Sequence, residues 1–351
     1  MNAAQNPFHI HTPLRIVIVT ALALLPLAAM NDALACAACG CTLSKDWGTQ
    51  GVSMTPGFTA GLSYDYINQN QQRYGSGTAS ASQINSVWGS GNEVEDYTVT
   101  RTTTASLNYS SDTWGVDTLL PFVQRTHGTF GAFDATTNNV PSPALSTAYA
   151  SSSDNGIGDI RVIGRYTGFS ADKTTGIIAG IKLPTGSTNA TFNDGVTPLD
   201  RSLQIGTGST DLILGGFITG AIAEYGWFAQ GTAQHVVATK SIAGADYHPG
   251  DAYSLNTGIR YAKFGAKFTP MLQLNYIHRQ ADSGAGATYD VNNNNPLTGG
   301  TLVYLAPGAL VRVGGGTSVY GFIQLPVYQN VTSLQLSPRY TLSVGIQQSF
   351  E

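Results

Sequence analysis

From residue 56 onward apolar and polar residues alternate with a period of two, in runs of 11–14 residues separated by turns. That period belongs to β-strands, whose successive side chains point to opposite faces. The first run sets Phe58, Ala60, Leu62, Tyr64 and Tyr66 on one face and Thr59, Gly61, Ser63 and Asp65 on the other. The last sets Tyr340, Leu342, Val344, Ile346 and Phe350 against Thr341, Ser343 and Gln347. Between them the pattern predicts strands at about 96–109, 114–127, 157–169, 174–184, 209–222, 226–239, 251–263, 267–280, 301–313 and 317–329. With 56–67 and 339–350 this gives twelve. Connections alternate long and short. The tight ones include Ser110–Thr113, Ser170–Lys173, Ala223–Tyr225 and Gly314–Gly316.

A single-sided apolar strand must bury that side. Charged residues make up only 11% of the chain, against about 25% in ordinary soluble domains. Mean hydropathy is nevertheless −0.02. Low charge with near-zero hydropathy suits strands that face lipid on one side and water on the other. Lipid offers the backbone no hydrogen-bond partners, so such strands must close into a ring. The expected fold is all-β, an antiparallel up-and-down transmembrane barrel of about 12 strands. An even strand number with alternating short and long connections is the bacterial outer-membrane plan.

The N-terminus agrees with export. Arg15 precedes an apolar run from Ile16 to Leu25, and Ala33-Leu34-Ala35 supplies a small-x-small cleavage site. Residues 1–35 therefore read as a cleaved signal peptide, 36–55 as a periplasmic N-terminal segment and 56–351 as the barrel. Cleavage there would expose Cys36, so lipidation is the alternative. Cys36, Cys39 and Cys41 are the chain's only cysteines. They read either as a periplasmic disulfide with one thiol left over or as part of a thiolate metal site that lacks a fourth ligand. Gly40 stands where CxxC haem attachment needs His, so no cofactor is expected.

Tyr64, Tyr66, Tyr109, Trp114, Trp227, Tyr261 and Tyr340 fall near strand ends, where aromatic girdles sit. The closing strand ends on Phe350, resembling the terminal signal read by barrel assembly machinery. Two residues fit poorly. Arg101 shares a face with Val99 and Leu107 and needs either an inward flip or a place at an interface. Pro307 leaves the facing of strand ten open.

The polar faces put Asp65, Arg161, Arg165, Lys182, Asp211, Arg260 and Arg279 toward the lumen, with Tyr320 and Phe322. Charges of both signs read either as a structural network in a filled interior or as a constriction that sorts solutes. Gly156-Ile157-Gly158-Asp159-Ile160 and Gly206-Thr207-Gly208-Ser209-Thr210-Asp211-Leu212 echo one another at strand entries. Neither follows a strand and opens a helix, which disfavours nucleotide binding. A net charge of −4 gives no footprint for nucleic acid.

NGIGDIRVIGRYTGF at 155–169, IKLPTG at 181–186 and LQIGTGSTDL at 203–212 resemble the phenol meta-pathway degradation family of outer-membrane proteins. The resemblance implies a channel or transporter for small hydrophobic or aromatic solutes. It carries over Gly158, Asp159, Pro184, Gly186, Gly208 and Asp211 as motif positions, none of them catalytic. The expected partners are outer-membrane lipid, the assembly machinery and a small solute. A structural or partner-binding barrel, tied to a periplasmic redox or metal-handling protein through the cysteine segment, is the alternative. A barrel phospholipase is disfavoured, because Gly128-Thr129-Phe130 follows His127 where a Ser-Asn-Gly neighbourhood would be expected.

Overall fold

The computed structural model describes residues 56–88, 93–130, 149–241, 246–263, 267–290 and 293–350. Residues 1–35, the three cysteines and the rest of the 36–55 segment lie outside them. Among the described residues no helix is long and apolar enough to cross a membrane. The chain crosses with strands.

In chain order these are β1 (Gly57–Gly75), β2 (Gly77–Thr78), β3 (Val94–Ser110), β4 (Trp114–Phe130), β5 (Tyr149–Ile157), β6 (Arg161–Tyr166) and β7 (Thr175–Lys182). They continue as β8 (Ser209–Ile222), β9 (Tyr225–Thr239), β10 (Ala252–Tyr261), β11 (Phe268–Arg279), β12 (Gly300–Gly314) and β13 (Thr317–Phe350). Neighbours in sequence pair antiparallel, and β13 pairs back onto β1 from Phe58↔Phe350 onward, which closes the ring. Eleven assigned strands form it; β2 and β5 lie off the ring as partners of β1 and β4. β13 has 34 residues, which fully extended would span about 110 Å. It is instead folded back on itself. Thr317 to Val331 pair with β12, and Val331 to Phe350 pair with β1. The chain reverses at Thr332 and Ser333, where Ser333 takes a φ of 47°. The Ser349 amide donates to the Gly316 carbonyl at 3.0 Å, so the two limbs lie side by side. Counted by limbs, the wall has twelve staves.

The long strands run beyond their alternating stretches. β1 continues through Asn68–Gly75, held by the second limb of β13. The fourth predicted strand, 157–169, is shorter, as β6, and a further strand, β5, precedes it in the stretch that reads as loop. β5 pairs with the outer half of β4 and β6 with the inner half, and Gly158–Ile160 step between them. One helix, α1 (Ala81–Trp88), stands in the first long connection. Ser80 and Gln83 cap it reciprocally: the Ser80 amide donates to Gln83 Oε1 at 2.9 Å and the Gln83 amide to Ser80 Oγ at 3.3 Å. Val87 pins it against Val94 and Leu334.

The outer surface is apolar. Leu62, Leu107, Leu120, Leu212, Leu214, Leu255 and Val344 are all exposed, as lipid-facing side chains must be. At the short-turn end aromatic rings form a girdle through Phe58–Tyr109 (5.0 Å), Tyr109–Trp114 (5.1 Å), Tyr166–Phe169 (5.0 Å) and Tyr225–Tyr261 (4.9 Å). Nearer the long-loop end Tyr66 meets Tyr340, and Arg101 lies over the Tyr66 ring at 5.7 Å. Arg101 therefore stays on the outer face at the upper aromatic level, where water and headgroups reach it, and no bulge flips it. Pro307 points outward from β12, and alternation carries through it, with Leu302, Tyr304, Ala306 and Leu310 buried.

The interior is filled on one side only. Met271, Ala306, Leu310, Tyr320 and Phe322 form an apolar cluster inside β11–β13. Above it an amide chain runs from Asn256 Nδ2 to Asn275 Oδ1 (2.9 Å) and from Asn275 Nδ2 to Gln324 Oε1 (3.4 Å). The inner faces of β1, β3, β4 and β6–β10 border open space.

Candidate solute channel and its roof

That space is a cavity of about 530 Å³. It reaches from Thr59, Gly61 and Gln347 near the short-turn end up to Arg201–Thr207 and Tyr247–Gly250. The upper boundary is not barrel wall. It is the connection from β7 to β8, which turns inward after Lys182 and roofs the lumen. Ala190, Phe192, Leu199 and Leu203 give this connection its own small core. Gln204 clamps it internally: its side chain accepts from the Ala190 amide (2.7 Å) and donates to the carbonyls of Ala190 (3.1 Å) and Leu199 (2.8 Å).

Side chains of the wall fasten the roof. From β4, Arg125 Nη1 donates to the carbonyls of Leu203 (2.8 Å) and Gln204 (2.9 Å). Asp159, at the step between β5 and β6, accepts from the Gly186 amide at 3.0 Å, the Thr207 amide at 2.9 Å and Thr207 Oγ1 at 2.6 Å. The two arms of the roof also meet each other: the backbones of Gly186 and Gly206 cross in contact, and a Cβ on Gly206 would lie 2.4 Å from the Gly186 carbonyl, so no side chain fits there.

Below the roof sits a buried charge cluster. Lys182 Nζ lies 2.8 Å from Asp211 and 3.7 Å from Asp159, and donates to Thr207 Oγ1 (2.5 Å) and Ser209 Oγ (2.9 Å). Asp211 also accepts from Ser209 Oγ (2.6 Å) and Gln234 Nε2 (2.5 Å). Every member has a partner, as a buried ionic group requires.

The sequence candidates fall into three places. Asp159, Lys182, Gly186, Gly208 and Asp211 converge on this cluster and its roof, although up to about fifty residues separate them. Gly208 (φ +69°) lies against Arg201, and the Pro184 carbonyl accepts from Lys240 Nζ at 3.2 Å. The Gly158 amide donates to the Pro121 carbonyl at 2.8 Å, setting the step before Asp159. Asp65, Arg161, Arg279 and Tyr320 border the same cavity elsewhere on the wall; Asp65 accepts from Ser343 Oγ (2.6 Å) and Arg279 pairs with Asp282 (3.1 Å). Arg165, Arg260 and Phe322 do not border it. Arg165 donates to Ser110 Oγ (2.6 Å) and covers Gly115, and Arg260 covers Gly226, both at the short-turn end. Phe322 belongs to the apolar filling. Arg125, Arg201, Gln204 and Tyr247 also line the cavity, and the sequence does not single them out.

On the outer side the roof meets a carboxyl pair. Glu93 is hydrogen-bonded to Asp200, next to Glu95. Burial, followed by the charges of Asp200 and Glu95, pushes the Glu93 carboxyl up to about 9 from an ordinary 4.5, and burial also raises Asp200. Glu93 therefore keeps its proton at neutral pH and donates it to Asp200. A carboxyl raised in the docked state stabilises docking fully below its free pKa and loses that contribution as pH rises through the docked value. Conductance is expected to rise about tenfold between about pH 7 and about pH 10 as the pair ionises and repels. Glu93→Gln, which keeps a donor and cannot ionise, is expected to flatten that rise in planar-bilayer recordings.

A closed ring of strands, a lipid-facing apolar band with an aromatic girdle, and a roofed aqueous interior define a transmembrane β-barrel of the outer-membrane class. Within that class the chain belongs to the family described as "Putative MetA-pathway of phenol degradation", whose model matches residues 89–321. Among solved structures the barrel is similar to an outer membrane channel from Pseudomonas putida F1, at 11% identity and a TM-score of 0.57, covering 85% of this chain and 97% of that one. It is also similar to the translocator domain of the autotransporter NalP from Neisseria meningitidis, at 11% identity and a TM-score of 0.48, covering 87% and 92%. At 11% identity the likeness to the first is one of fold. No curated protein matches the chain in sequence.

Proposed function

We propose that the chain is a gated outer-membrane channel for small hydrophobic or aromatic molecules. The observation that carries this reading is the half-empty lumen. A purely structural barrel of this size has no need of an unfilled cavity of about 530 Å³, and interiors without a ligand pack to crystal-like density. Leu119, Ile163, Ile178 and Ile213 give its inner wall apolar surface, and Thr, Ser and Asn side chains border it elsewhere. Membership of a family described by phenol degradation supports an aromatic solute. Asp65, Asp159, Arg161, Lys182, Asp211 and Arg279, which border the cavity, would then form the selective part of the path, and the roof would be its gate.

The test is uptake in cells, because the outer membrane, not a plain lipid bilayer, is the barrier to apolar solutes. Cells expressing the chain are expected to take up labelled phenol faster than cells without it, with no gain for a disaccharide. Equal gain for both would leave a general pore, and no gain for either would defeat transport.

A further inference from the structure

Beneath the roof, Asp65, Asp159 and Asp211 are engaged by the protein, whereas two guanidinium groups at the cavity keep unspent donors. Asp159 and Asp211 accept from Gly186, Thr207, Ser209, Gln234 and Lys182, and Asp65 from Ser343. Asp117 lies two residues nearer the short-turn end than Leu119, the pairing partner of Arg161. Arg161 projects from β6 into the cavity and is exposed there. Among the described residues it makes no hydrogen bond and no ion pair. Its charged neighbours are Asp211, Asp159 and Arg279, and the two acids are already engaged by Lys182.

The second group is in the roof. Arg201 lies over the Tyr247 ring at 4.9 Å and spends only Nη2, on the Thr207 carbonyl at 3.3 Å. Its Nε and Nη1 are buried without a hydrogen-bond partner. A buried donor left unsatisfied costs about 1–3 kcal/mol, so a guanidinium fixed this way over a cavity signals an absent acceptor. Guanidinium groups match carboxylates in shape and hydrogen bonding. The apolar side chains of Leu119, Ile163, Ile178 and Ile213 border the same cavity.

Resting on the channel reading above, we infer that the upper lumen is a binding site for an organic anion: a carboxylate drawn to Arg161, with Arg201 as a second guanidinium in the roof of the same cavity, carried on a small apolar body that lies against Leu119, Ile163, Ile178 and Ile213. The site makes the channel selective for aromatic acids over neutral aromatics of the same shape.

Benzoate and benzyl alcohol separate the two contributions, since they share a ring and differ in charge. Titration calorimetry on the purified full chain in detergent is expected to show benzoate binding at least about tenfold more tightly than benzyl alcohol. Arg161→Gln, which breaks no hydrogen bond or ion pair among the described residues, is expected to weaken benzoate about tenfold and leave benzyl alcohol unchanged. Arg165→Gln makes the same change of charge outside the cavity and is expected to leave both unchanged. Heat-dependent gel mobility reports whether each variant is folded, and Arg201→Gln supplies a second loss of affinity if Arg161→Gln fails that check. Equal binding of the two probes, or equal effects of the 161 and 165 variants, overturns the inference. Planar-bilayer recording on the same samples keeps the readings apart. Current without selective benzoate binding overturns the anion site alone, and selective binding without any current or flux overturns the channel alone.

Discussion

Asp159→Ala is expected to raise the mean conductance of the reconstituted barrel at least about tenfold. Among the described residues this carboxylate alone accepts from both arms of the roof, at Gly186 and at Thr207. Hydrogen bonds to a charged group contribute roughly 1.5–3 kcal/mol each. Losing even about 3 kcal/mol in total changes a closed-to-open ratio by about a hundredfold. The barrel itself should be barely affected, because Asp159 stands at the step between β5 and β6 and belongs to neither ladder. Asp159→Asn keeps one accepting oxygen and is expected to fall between wild type and Ala. Recordings that show the same conductance for all three would mean that the roof is not held by this residue.

Asp211→Ala should act on stability. It strips the 2.8 Å partner from Lys182, whose side chain is 3% exposed. Breaking a buried pair by removing one member costs roughly 3–5 kcal/mol, because the remaining charge is stranded. Asp159 at 3.7 Å still faces the ammonium, so the low end, about 3 kcal/mol, is expected. The readout is the midpoint of urea unfolding in detergent, followed by heat-dependent gel mobility. Lys182→Met combined with Asp211→Leu removes both charges and is expected to recover most of the loss. A double variant as unstable as the single one would show that neighbouring packing, and not the stranded charge, sets the cost.

The two variants probe features that differ in how visible they are in the sequence. Strand facing was legible wherever lipid demands an apolar outer row, as along Phe58–Tyr66 and Tyr340–Phe350. It faded where the strands rise past the membrane. β5 reads Ser151-Ser152-Ser153-Asp154-Asn155-Gly156 and carries no apolar period, yet it is a strand because β4 extends beside it. The same holds for Asn68–Gly75 of β1 and for the β13 turn at Ser333, which looked like a loop of nine residues between two strands.

At the candidate site, the glycine- and aspartate-rich motifs stood out as strand entries, but their meeting did not. Asp159 reaches Gly186 across 27 residues and Thr207 across 48, and no local pattern encodes that closure. Arg125 illustrates the reason. It lies among threonines at the outer end of an ordinary strand, and its role comes from the carbonyls of Leu203 and Gln204 that the roof brings beneath its guanidinium. A tertiary contact between a side chain and a distant backbone carbonyl leaves no trace in residue type. Gln204 and Arg201 are hidden for the same reason, since the roof reads as a polar loop with a few apolar residues.

Thr232 and Leu214 sit on paired strands at nearly the same height, one bordering the cavity and the other 60% exposed on the outer face. With Cys36, Cys39 and Cys41 replaced by Ser, a single cysteine at either position can be challenged with a small charged thiol reagent in proteoliposomes. A lipid-spanning barrel with a water-filled interior predicts rapid modification of Thr232→Cys, faster still with Asp159→Ala, and protection of Leu214→Cys. Equal labelling at both positions, or labelling at 214 alone, would contradict it.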